Sequence, residues 1–246
     1  AFVGLQNYKT LFSDKNFQNS IAVSIKYILV TVPARFLLGL GSALLLNKKF
    51  KGRAIARAFI IIPWAVPEVV ACLVWILMYD KDFGIINALL QRAGLIKENI
   101  GWLLSTDYAL GAAMVVNIWK GFPFVAVMLL SGMQSIPGEL YEASRVDGSN
   151  AWHRFRYITW PLLQPVVMVV FLLLVIWTIR DFGIVYVLAK GGPSRATEVL
   201  PIYLYTTAFK NMDFGIASAA GMVMLAVALI FAIFYVRALQ KGGTEI

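Results

Sequence analysis

One cysteine and one histidine are all that 246 residues contain of the two side chains that most often hold metal. Cys72 has no partner for a disulfide within the chain, and it sits inside an apolar run where no thiolate cluster can form. His153, alone, cannot supply a multi-histidine metal site. No cluster of His, Asp or Glu and no nucleophile beside a base offers the parts of a membrane-embedded enzyme. The G-x-x-x-x-G-K-[ST] phosphate loop is also missing, so this chain has no seat for ATP hydrolysis. Charge is scarce as well: 14% of residues are Asp, Glu, Lys or Arg, against about 25% in an ordinary soluble domain. No charged-then-apolar leader opens the chain, which starts Ala1-Phe2-Val3-Gly4. We expect a preceding portion that carries one more membrane helix.

Apolar residues are what the chain has. They make up 60% of the sequence, and the mean hydropathy is +0.75. Runs of about 20 apolar residues, each long enough to cross roughly 30 Å of hydrocarbon, recur along it. They predict membrane helices over about 19–46, 57–79, 107–133, 161–188 and 214–239. The fold class is therefore all-α, a polytopic membrane helix bundle of five visible spans in one domain over 1–246. The net charge of +9 reads as anchoring of loops rather than nucleic-acid binding. Ten basic residues fall on the side that holds Lys48–Arg57, Arg145–Arg156 and the C-terminus, against eight on the other. The first side has the shorter, denser loops, and by the positive-inside rule it is cytoplasmic.

One polar segment on that side stands apart, from 137 to 158. Pro137 suits a first helical turn, Glu139 complements its dipole, and Gly148 breaks it. Ser149 can cap a second short helix, and Pro161 marks the start of the next span. Two short helices around a glycine elbow make a knob that a partner's groove could hold. The other reading is an interfacial loop, with Trp152 and Tyr157 on lipid headgroups.

Ionisable groups at membrane depth usually face a bundle interior or water. Glu68, Lys120 and Arg35 lie near mid-span, and Lys26 and Arg180 lie closer to the outer boundary. A solute pathway would use Glu68, Asn117, Trp119, Lys120 and Asp181, because polar solutes are held by aromatic faces and hydrogen-bonding groups. The structural alternative pairs Glu68 with Lys120 or Arg35. Pro33, Pro63, Pro67 and Pro123 are expected to interrupt helices, and Gly215, Ala217, Ala219 and Gly221 give small-x-x-x-small spacing for close packing. The outer loops, Asp80–Thr106 and Lys190–Asp213, read as solvated, with Trp102, Tyr203 and Tyr205 interfacial.

Glu142-Ala143-Ser144, three residues, Gly148, nine residues, Ile158, one residue, Trp160-Pro161 resembles the signature loop of permease subunits of bacterial ATP-binding-cassette importers. That family's pattern is E-A-A, three residues, G, nine residues, I, one residue, L-P; this chain departs at Ser144 and Trp160. Phe2–Tyr8, Phe83–Asn87, Trp119–Phe124 and Gly191–Glu198 are similar to stretches of the carbohydrate-importing subclass. The resemblance implies a bacterial inner-membrane, multi-pass transport subunit with no catalysis of its own. It implies as partners a second related permease, two cytoplasmic ATPase subunits, an extracytoplasmic sugar-binding protein and membrane lipid, but no nucleic acid. ATP and Mg would sit on the ATPase, and this chain would bind no cofactor. Glu142, Ala143, Ser144, Asp147, Gly148, Ile158 and Pro161 would carry the coupling contact. A permease for a non-sugar solute would keep the signature loop but lack the sugar-subclass stretches. An ATP-independent secondary transporter would leave the loop unexplained.

Overall fold

A backbone that crosses hydrocarbon must satisfy its own N–H and C=O groups, which a helix does locally. The computed structural model describes residues 3–242, and every regular element among them is helical. A short α1 (Gln6–Ser13) stops at Asp14, whose carboxylate accepts from the Asn16 N–H at 2.9 Å and starts α2 (Lys15–Asn47).

The second span is a correction. Expected as one helix over about 57–79, it is two, α3 (Arg53–Ala65) and α4 (Glu68–Met78), which meet at 95° across Val66 and Pro67. Pro67 has no N–H, so the Pro63 carbonyl one turn earlier loses its helical donor there. Pro33 and Pro123 sit inside unbroken α2 and α6 (Ala109–Gln134), so of the prolines expected to interrupt helices only Pro67 does.

Helix α6 is the centre of the bundle. Half of its most apolar window is buried, against 11% for the last span. It meets α2 closely because Gly39 carries no side chain where a Cβ would strike Val125 and the Ala126 backbone. One cluster joins Val32, Ala43, Val125, Leu129, Leu163 and Leu174 from α2, α6 and α9 (Trp160–Ile179). Gly39→Ala should therefore destabilise the protein by about 1–3 kcal/mol through overpacking, seen as a lower thermal midpoint in detergent. An unchanged midpoint would mean that the two helices are not this close.

Helices α7 (Gly138–Val146) and α8 (Ala151–Arg154) follow, then a π-turn at Phe155–Thr159 and α9 (Trp160–Ile179). Pro161, expected to begin the next span, does not begin one; Ala151–Ile179 is one continuous rod. Nor is Ser149 the cap of α8. The Asn150 carboxamide takes that place, accepting from the His153 N–H at 2.8 Å. The fourth span also ends sooner than the expected 188. It stops at Ile179, and α10 (Gly183–Ala189) is a separate helix after the break at Arg180–Phe182.

The outer loops are packed rather than merely solvated. Asn87, on α5 (Ile85–Arg92), donates to the Ile100 carbonyl and accepts from the Trp102 indole, both at 2.9 Å. Trp102 lies against Tyr79, with ring centroids 6.0 Å apart. In the second loop Asn19 donates to the Arg195 carbonyl at 3.1 Å. At the start of α11 (Leu200–Tyr205) the Leu200 N–H donates to Ser24 Oγ at 2.8 Å. Tyr203 is buried and donates to Asp14 at 2.7 Å, and burial together with that carboxylate raises its phenol above the ordinary value. The small residues of α12 (Phe214–Gly242) serve this same neighbourhood: Ala217, Ala219 and Ala220 are buried, Gly215 abuts Asn7 and Gly221 abuts Leu204.

Candidate functional site

Two helix breaks, one between α3 and α4 and one between α9 and α10, face a common cavity of about 490 Å³. Glu68 begins α4 on one side of it, and Arg180 and Asp181 form the break on the other. Lys120 and Phe124 reach in from α6 one turn apart, and Arg35 from α2. Trp64, Phe124 and Trp177, from three helices, make a row of rings with centroids 6.0 and 4.8 Å apart.

Of the five pathway residues named from the sequence, Glu68, Lys120 and Asp181 line this cavity. Asn117 lies behind the wall, fully buried, and donates its amide to Asp181. Trp119 is elsewhere: it packs edge-on against Trp75, with centroids 5.6 Å apart. Sequence reasoning missed Trp64, Phe124 and Trp177 as wall residues. Phe124 stands at i+4 from Lys120 on α6, a signal that helical spacing offered.

The expected pairing of Glu68 with Lys120 or Arg35 does not form. Among the described residues the one ion pair within 4.0 Å is Arg195 with Glu198. Lys120 instead gives its ammonium to the Val66 carbonyl at 2.7 Å. Arg35 gives Nε to the Asn117 carbonyl at 3.0 Å and reaches Thr178 Oγ1 at 3.5 Å. Asp181 accepts from the Tyr27 hydroxyl at 2.7 Å as well as from Asn117. Backbone and neutral groups thus hold Lys120, Arg35 and Asp181 in place. The wall carries three cations (Arg35, Lys120, Arg180) and two carboxylates (Glu68, Asp181), a mixture suited to a polyhydroxylated solute rather than an apolar one.

The second candidate site is the knob at the basic end. Helix α7 ends in a Schellman motif: Gly148 N–H donates to the Arg145 carbonyl at 3.1 Å and Ser149 N–H to the Ser144 carbonyl at 3.0 Å. Gly148 adopts φ +76°, a conformation costly for any residue with a Cβ, so the elbow needs a glycine. Glu142, Ala143 and Asp147 face outward, and Val146 and Trp152 are exposed beside them at 88% and 70%. Ser144 points inward and its Oγ has no hydrogen-bond partner, so the position fits an alanine-sized group. Tyr141 and Thr159 share a hydroxyl–hydroxyl bond of 3.0 Å that ties the knob to the rod. Ile158 is half-buried in the π-turn just before Pro161, where Trp160 N–H donates to the Phe155 carbonyl.

Both sites lie within residues 35–242, which match the family model described as "Binding-protein-dependent transport system inner membrane component". The chain belongs to that family. This binding-protein-dependent permease is 39% identical over 237 residues to the trehalose/maltose transport system permease protein of Thermococcus litoralis, covering 96% of this chain and 79% of that one. It is 35% identical over 239 residues to the sulfoquinovosyl glycerol transport system permease protein of Agrobacterium fabrum, covering 97% and 77%. Its fold is that of the bacterial alginate ABC transporter solved with an alginate pentasaccharide-bound periplasmic protein, at TM-score 0.82 and 24% identity over 95% of this chain and 81% of that one. The MetNI methionine ABC transporter shares the fold more distantly, at TM-score 0.66 and 18% identity over 92% of this chain and 95% of that one. The permease is a multi-pass inner-membrane transport subunit and not an enzyme; in this family ATP hydrolysis belongs to a separate chain.

Proposed function

We propose that this permease forms half of the translocation pathway of an ATP-driven sugar importer and takes its motion from an ATPase through residues 137–158. The observation that carries the reading is one rod, Ala151–Ile179, which begins at the knob and ends at the cavity. Glu142, with Ala143 and Asp147 beside it, is the contact offered to a cleft in the ATPase. Gly148 sets its angle, Ser144 seats α7, and Ile158 and Pro161 join the knob to the rod. At the other tip Glu68, Lys120 and Asp181 line the path, with Asn117 holding Asp181. Sugar as the solute is supported by the relatives named for trehalose/maltose and sulfoquinovosyl glycerol. The aromatic row of Trp64, Phe124 and Trp177 offers the flat faces that pyranose rings stack against.

The assembly proposed is this chain and a second related permease in membrane lipid, with two cytoplasmic ATPase subunits carrying ATP and Mg and an extracytoplasmic binding protein. ATP closing the two ATPases would draw the knobs together and tilt the rods, a rigid-body change of access. Reconstitution of the complex in liposomes tests it. Labelled trehalose, maltose or a longer oligosaccharide should enter only with ATP and a binding protein present. Uptake of an amino acid or polyamine but no sugar would replace the solute assigned, and uptake without ATPase would overturn the coupling.

A further inference from the structure

We propose that Lys120 is a positioning residue that holds the second span bent, and that its ammonium does so by serving carbonyls which the break at Val66-Pro67 has left without donors. In an α-helix the Pro63 carbonyl would accept from the N–H of residue 67, and that residue is proline. The Val66 carbonyl lies at the C-cap of α3, where the chain has already turned extended (ψ 133°). Orphan carbonyls at membrane depth have no water to bind and must find a donor in the protein. Lys120, from the neighbouring α6, supplies it: Nζ stands 2.7 Å from the Val66 oxygen and 3.5 Å from that of Pro63. No carboxylate approaches it within ion-pair distance among the described residues. An isolated ammonium would be expensive here, and the paired negative ends of two carbonyl dipoles at a helix C-terminus offset that expense.

The bend has a destination. It sets Glu68 at the start of α4, where the carboxylate lies against Gly183, the first residue of α10; a Cβ on Gly183 would collide with Glu68 Oε1. The broken second span and the broken fourth span thus touch at the cavity, and Lys120 fixes the geometry of that meeting. Lys120 then shapes the pathway without needing to touch the solute. That consequence for uptake rests on the transport reading above; the geometry does not.

The test separates the two. In a Cys72→Ala background, spin labels at Ile55 and Leu77, both exposed on the bundle exterior, report the bend in the assembled transporter in nanodiscs. A straight helix of that length would place the two backbones about 33 Å apart, and the observed bend about 22 Å. Lys120→Met should broaden or lengthen the distance and cut uptake at least tenfold, while Lys120→Arg, which keeps a donor, should hold the wild-type distance. If Lys120→Met fails to assemble, Pro67→Ala added to it returns the missing N–H and should restore a monodisperse complex. An unchanged distance in Lys120→Met, whatever happens to uptake, overturns the assignment, as does an assembly defect that Pro67→Ala does not repair. Absence of sugar uptake in the parent protein would instead count against the proposed solute and leave the distance measurement intact.

Discussion

Glu142→Lys should leave the chain in the membrane and lower ATP-driven uptake at least tenfold, about 1.4 kcal/mol of lost coupling. The residue is exposed on α7, five positions before the cap Asp147, so reversing its charge disturbs no packing inside the chain. What changes is the face offered to a partner. The ATPase should keep hydrolysing while uptake falls, so solute moved per ATP is the quantity to measure in liposomes. A purely interfacial loop would tolerate a lysine well, since basic residues favour headgroups. Wild-type uptake in this variant would therefore return the segment to the status of a lipid-facing loop. Gly148→Val makes a companion case, because a β-branched residue at φ +76° is strained and would re-aim the whole knob.

The second large effect concerns stability. Asp181→Ala should cost about 3 kcal/mol, because a buried Tyr27 hydroxyl and a buried Asn117 amide both lose their acceptor at once. Asp181→Asn should fall between, since both donors reach the one oxygen Oδ2 and an amide carbonyl there accepts from both, but more weakly than a carboxylate. Thermal unfolding in detergent, scored against wild type, reads the order directly. Equal midpoints for all three proteins would mean that the break at Arg180–Phe182 is held by something other than this network.

Much of this was legible before any coordinates. Membrane helices follow from length and hydropathy, and the knob follows from Pro137, Gly148 and the spacing to Pro161. The breaks were not legible for a plain reason: apolar residues continue on both sides of them. Val66-Pro67 interrupts hydrogen bonding without interrupting hydropathy, and the two charges of Arg180-Asp181 are outweighed by the apolar residues on either side, so a composition window runs across both. The partner of Asp181 lies 154 residues away at Tyr27, beyond any local pattern. Trp119 was a different error. It stands two residues from Asn117, about 200° round the helix, so both could not serve one face. Lys120, Gly121 and Phe124 share the face that reaches the cavity. The Glu68–Lys120 pairing failed because a backbone break is the more needy partner: its carbonyls are fixed in place, whereas a carboxylate beside a cavity keeps its water.

The 29-residue rod has one more implication. It is about 43 Å long, so a tilt of about 10° around its midpoint would swing each tip by about 4 Å, in opposite directions. Like a seesaw, it cannot raise both ends. Any leak path open to both compartments at once would require the rod to bend, and the Tyr141–Thr159 clasp stiffens it near its inner tip.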